Sequence, residues 1–147
     1  MNMSRKLLVA GAVVAALAVG FTTGLSVGQE KKMSGRIYEL RTYTTLPGRL
    51  PALNKRFAEH TIKLFEKHGM KNGMYWVPTE DGRNARKENT LIYVVSHESQ
   101  EAADKSWKAF SADPDWVKAR EASEKDGKIV EKVERVFMTL TDYSPVK

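Results

Sequence analysis

The stretch RIYELRTYTTLPGRL, residues 36–50, decides how the rest of the chain is read. From Arg36 to Tyr43, β-branched and aromatic residues alternate with polar ones, which is the period of a strand. Pro47-Gly48 then breaks the chain. Pro51 suits the first turn of a following helix, where a missing N–H costs nothing. As a strand, the segment carries Tyr38, Leu40 and Thr42 on one face and Ile37, Glu39, Arg41 and Tyr43 on the other. A carboxylate, a guanidinium and a phenol in one row are unusual cargo for a strand of a small domain.

Leu50, Leu53, Phe57, Leu64 and Phe65 share one broad helical face. The spacing predicts a helix over 50–68, closed by Gly69 as a left-handed cap. GMYWVP, residues 73–78, reads as a short strand, and TEDGRNARKEN as a polar loop. TLIYVVSH, residues 90–97, is the most apolar strand. Ser99 is placed to cap a helix with Ala103, Trp107 and Phe110 inside. Asp113 caps a second helical piece that starts at Pro114 and runs to about residue 125, with Gly127 ending it. The last strand spans about 129–141, and a phase shift near Glu134 predicts a bulge there. The order strand, helix, strand, strand, helix, strand is an α+β ferredoxin-like arrangement, a four-stranded antiparallel sheet with helices on one side.

That arrangement leaves one sheet face without helices. Strand 90–97 is apolar on both faces, with Leu91, Tyr93 and Val95 on one and Ile92 and Val94 on the other. Such a strand is expected to be buried on both sides, and a second copy of the sheet is the simplest cover. A homodimer is therefore expected. The alternative is a monomer whose patch is covered by the linker or by another protein. On this reading Tyr38 and Leu40 turn toward the helices, while Glu39, Arg41 and Tyr43 point between two sheets. Tyr93, His97 and Trp76 would join them to line a cavity for a small apolar or aromatic ligand. Same-face residues lie about 6.5–7 Å apart along a strand, so Arg41 is expected to pair with a carboxylate such as Glu39. A structural role for that pair ranks first and ligand contact second.

Other chemistry finds little support. His60 and His68 stand two turns apart with no ligand partner at helical spacing, so no metal site is predicted. No cofactor is expected and no catalytic residue is assigned. Were haem bound through a helix histidine, His68 would be the nominee, although no attachment motif is present. The absence of cysteine removes disulfides and thiolate chemistry. No nucleophile elbow, phosphate loop or dinucleotide fingerprint occurs. Beyond residue 28, 22 basic residues are interspersed with 18 acidic ones, as in ASEKDGKIVEKVER. That is a solvated surface, without the basic stripe that nucleic acid requires.

The first 28 residues stand apart. Arg5 and Lys6 precede an uncharged run from Leu7 to Gln29, and Ser26-Val27-Gly28 offers small residues for cleavage. Residues 1–28 are expected to be a signal peptide or an uncleaved membrane anchor. Residues 29–35 follow as a linker, and 36–147 form one domain. Either outcome exports the domain, to the periplasm, to the medium, or to the outer side of a membrane. Contact with a membrane is expected only if the segment stays uncleaved.

Four segments in order, YELRTYTTLPGRL, LFEKHGM, SWKAFSADPDW and TDYSP, resemble the NIPSNAP domain from Arg36 to Pro145. The resemblance implies a dimeric α+β barrel, in which two ferredoxin-like sheets close on each other. Relatives sharing that barrel include small monooxygenases, lactone isomerases and haem-degrading enzymes. The family itself brings no assigned activity, and a fold alone supplies none. The expectation is an exported homodimer with a small-molecule cavity between its sheets, suited to cofactor-independent monooxygenase- or isomerase-like chemistry. A non-catalytic binding or scaffold module, or a haem- or stress-related ligand binder, are the alternatives.

Overall fold

The structure, a computed structural model, describes residues 35–83 and 85–145. The expected signal segment and nearly all of the expected linker lie outside the described residues. Met33–Lys147 form a compact unit of their own.

Strand β1 (Ile37–Thr45) leads through the Pro47-Gly48 turn into α1 (Leu50–Arg56), a π-helical turn (Phe57–Thr61) and α2 (Ile62–Lys67). Strands β2 (Lys71–Trp76) and β3 (Thr90–His97) follow, then α3 (Gln100–Ala112), α4 (Pro114–Ser123) and β4 (Val130–Met138). The sheet is antiparallel in the order β2-β3-β1-β4, as the split β-α-β repeat requires. Gly69 and Gly127 close their helices at φ +77° and +107°, a region other residues rarely adopt.

The helix starts follow local chemistry. The Ser99 side chain accepts from the Ala102 N–H. The Asp113 side chain accepts from the Asp115 N–H at 2.8 Å, with Pro114 in the first turn. Asp113 also meets Lys67 Nζ at 2.8 Å and His68 Nε2 at 2.6 Å, which ties α4 to the end of α2. Those contacts hold its carboxyl well below the usual carboxylate range, Lys67 contributing most.

Strand β3 sets the faces of the sheet. Leu91, Tyr93, Val95 and His97 are all buried, whereas Ile92 and Val94 are only half-buried. Of these, Leu91, Tyr93 and Val95 pack beneath the helices with Leu53, Phe57, Phe65 and Phe110. Register then carries β1 with it, because Glu39 lies opposite Val95, Arg41 opposite Tyr93 and Tyr43 opposite Leu91. The expected orientation of β1 is therefore reversed. Glu39, Arg41 and Tyr43 sit on the helix-covered face, and Tyr38, Leu40 and Thr42 lie on the open one. Apolarity favoured Tyr38 and Leu40 for the helix side. What outweighs it is the supply of partners there, since a buried carboxylate and guanidinium need donors and acceptors that the open face lacks.

Two irregularities shape the strand edges. In β2, Asn72 pairs with Val95 but Tyr75 pairs with Tyr93, so Gly73 and Met74 together oppose Val94. A Cβ on Gly73 would lie 2.7 Å from the Val94 carbonyl oxygen, so this bulge accepts only glycine without movement. In β4 the register against β1 shifts between Thr44 and Thr45, whose partners are Lys132 and Val130. The extra residue is Glu131, not one near Glu134 as expected from the pattern.

Candidate functional site

Under α3 and the π-helical turn, the row on β1 meets the inner face of β3. Glu39 is fully buried and accepts from three side chains. Arg41 Nε donates to its Oε1 at 2.8 Å, while His97 Nε2 and Trp107 Nε1 reach Oε2 at 2.9 and 2.6 Å. Burial pushes this carboxyl up, but the hydrogen bonds from His97, Trp107 and Arg41 outweigh it and hold the group at about 2. Glu39 is thus a permanent carboxylate at neutral pH. It only accepts, so His97 Nε2 must carry a hydrogen. His97 Nδ1 is buried and finds no partner among the described residues.

Arg41 has two further contacts. Its guanidinium lies 3.5 Å from the centre of the Trp107 ring, a stacked cation–π arrangement. Its Nη1 donates to the Tyr43 hydroxyl at 3.3 Å, which also bonds the Tyr93 hydroxyl at 3.2 Å. Tyr75 stacks on Tyr93 with centroids 5.3 Å apart, and its hydroxyl donates to Asn72 Oδ1. Burial pushes the Tyr75 hydroxyl up to about 12 and the Tyr93 hydroxyl well above its ordinary range, so both stay protonated. Phe57 packs edge-on against Tyr43, Tyr75 and Tyr93. Phe57 opens the π-helical turn, where the Ile62 N–H reaches back to the Phe57 carbonyl. Turns of this kind often stand at functional sites.

Five of the six expected lining residues therefore converge: Glu39, Arg41, Tyr43, Tyr93 and His97. They converge between sheet and helices instead of between two sheets. Trp76 does not join them. It pairs with Ile92 on the open face and is 43% exposed. The Gly73–Met74 bulge explains this, because it reverses the alternation after Asn72 and turns Tyr75 inward in its place. Trp107 packs against the core as its spacing suggested, half-buried on Phe65 and Phe110, but its indole N–H also serves Glu39. Asn72 and Tyr75 escaped the sequence reading because only the bulge gives them a common face. Neither helix histidine enters the site, since His68 is bound to Asp113 and His60 lies at the surface near Glu59. Among the described residues, no group of three His, Asp or Glu is placed to hold a metal ion.

The open face is apolar at its centre. Leu40 lies between Val94 and Val136, and Tyr38 lies opposite Met138. Val136 is 55% exposed and Met138 36%.

The NIPSNAP family model matches residues 38–145. No curated protein matches the sequence. Among solved structures, a NIPSNAP-family protein of unknown function from Agrobacterium tumefaciens superposes with a TM-score of 0.65 at 23% identity, covering 78% of this chain and 96% of that one. A NIPSNAP-like domain protein from Burkholderia xenovorans gives 0.63 at 16% identity over 76% and 90%. A monooxygenase from Streptomyces coelicolor, in complex with nanaomycin D, gives 0.50 at 15% identity over 78% and 95%. At these identities the likeness is one of fold. With the family pattern running from the second residue of β1 to the end of the described chain, this protein belongs to the NIPSNAP family.

Proposed function

We propose that the protein is an exported homodimer that binds a small aromatic molecule beneath the helices of each protomer. One observation carries the binding site: the half-buried edge of Arg41, Tyr43, Tyr75 and Trp107 offers aromatic walls and polar donors around a rigid, fully satisfied Glu39. Such a mixture, mostly apolar with a few convergent polar groups, is what small-molecule sites present. Glu39 supports the site by holding three neighbours in place. Its proton affinity is too low for it to exchange protons near neutral pH. Dimerisation rests on the open face, where Leu40, Val94, Val136 and Met138 form an apolar strip that a second sheet would cover.

Binding is tested by calorimetry of residues 29–147 with nanaomycin D, the ligand of the monooxygenase relative, and with 2-naphthoate as a simpler aromatic probe. Saturable binding at one site per protomer, lost in Arg41→Met, is the expected result. No heat from either probe would remove the small-molecule reading. Export is tested by intact mass of the protein recovered from the periplasmic fraction. The expected mass begins at Gln29, and a full-length mass in the membrane fraction would show an anchor instead.

A further inference from the structure

Beside the site stands a charge with no carboxylate partner among the described residues. Arg41 on β1 and Arg135 on β4 are direct antiparallel partners. Direct partners project to the same face with Cβ atoms about 4.5–5.5 Å apart, and like charges so placed destabilise a sheet. The face is the helix-covered one, because the neighbouring pair is Glu39 and Phe137 and Phe137 packs edge-on against His97. Arg135 leans toward this ring, with its guanidinium 5.5 Å from the Phe137 centroid. The carboxylate that pairs with Arg41 is Glu39, and it is committed to Arg41 Nε, His97 and Trp107. Arg135 has no carboxylate partner among the described residues. Lys132 and Glu134, its neighbours in sequence, face the other side and pair with each other at 2.9 Å.

Hydrogen bonding points the same way. Tyr43 and Tyr93 share one bond between their hydroxyls, which uses one of their two O–H hydrogens. Arg41 is only a donor, so the second hydrogen has no acceptor among the described residues. Arg41 Nη2 likewise meets no protein acceptor there. Beside the Arg41–Glu39 pair, the Arg135 guanidinium and one tyrosine hydrogen thus lack an acceptor among the described residues. Arg135 is exposed, and the Arg41 side chain retains 13% exposure.

We infer that the ligand is an aromatic monoanion whose carboxylate or phenolate oxygen is held between Arg41 and Arg135 and accepts from the Tyr43–Tyr93 hydroxyl pair. The inference rests on the small-molecule reading above and adds the charge of the ligand. An anion there separates the two like charges and adds charge-assisted bonds, which are the strong kind. The aromatic body would lie against the exposed edges of Tyr43, Tyr75 and Trp107.

The test compares 2-naphthoate with methyl 2-naphthyl ketone, which has the same rings and an uncharged acceptor, by calorimetry at pH 7.5. The naphthoate should bind about tenfold tighter or more, the size of one charge-assisted hydrogen bond. Arg135→Gln is at the surface and should fold normally. It should abolish the preference by weakening naphthoate much more than the ketone, whose neutral carbonyl gains less from a guanidinium, and Tyr43→Phe should weaken naphthoate severalfold. Ketone binding equal to or better than naphthoate, or a preference that survives Arg135→Gln, would overturn the anion inference and leave the small-molecule reading standing. Binding of neither compound would overturn both.

Discussion

At the scale of single residues, Glu39 is the group on which the site depends. A carboxylate with no exposure survives only when its lone pairs are occupied, and three donors from β1, β3 and α3 occupy them. Its folded-state value of about 2 lies below the ordinary 4.5, so its contribution is present above about pH 4.5 and is lost as pH falls toward 2. The full contribution is about 3 kcal/mol at neutral pH. Wild type should therefore lose more urea resistance than Glu39→Gln between pH 5.5 and pH 3, while being the more stable of the two at pH 7. Asp113 also weakens in acid, but it is common to both proteins and cancels in the difference. Parallel acid losses in the two proteins would show that the three donors do not hold the carboxylate.

Among the elements, β2 shows how one residue changes the content of a site. The bulge at Gly73 and Met74 turns Tyr75 onto Tyr93 and sends Trp76 to the opposite face. Gly73→Ala forces a Cβ against the Val94 carbonyl, and backbone cannot yield as a flexible side chain would. The expected cost is about 1–3 kcal/mol, measured by urea denaturation at pH 7. Because β2 is an edge strand, it is expected to shift locally, and the tyrosine stack should loosen with it. A variant as stable as wild type would mean that β2 can pair without the bulge.

For the whole molecule, the proposed dimer is tested at the open face. Its apolar centre lies on β3, β1 and β4, remote from the candidate site on the other side of the sheet. Val136→Glu places a charge at that centre and should give a folded monomer by light scattering at micromolar concentration, where wild-type residues 29–147 should run as a dimer. Its circular dichroism should match wild type, since Val136 is 55% exposed in the protomer. A wild-type monomer at that concentration would leave the face to some other cover.

Element order and helix boundaries were determined by local chemistry, and they could be read from sequence. Pro51, Ser99, Asp113, Gly69 and Gly127 act on the backbone within a few residues of themselves, so their effect needs no knowledge of distant partners. The alternation of β1 likewise showed that Glu39, Arg41 and Tyr43 share a face, and β3 that Tyr93 and His97 share one. Which face each row occupies was decided only in three dimensions. Hydrophobicity pointed Tyr38 and Leu40 toward the helices, but a buried carboxylate is governed by the donors it meets, and Trp107 and His97 are 68 and 58 residues away from it. The placement of Trp76 and Tyr75 was decided in the same way, by a bulge that depends on how closely the Val94 carbonyl approaches Gly73. The pairing of Arg41 with Arg135 is a product of strand register, which no periodicity within either strand contains.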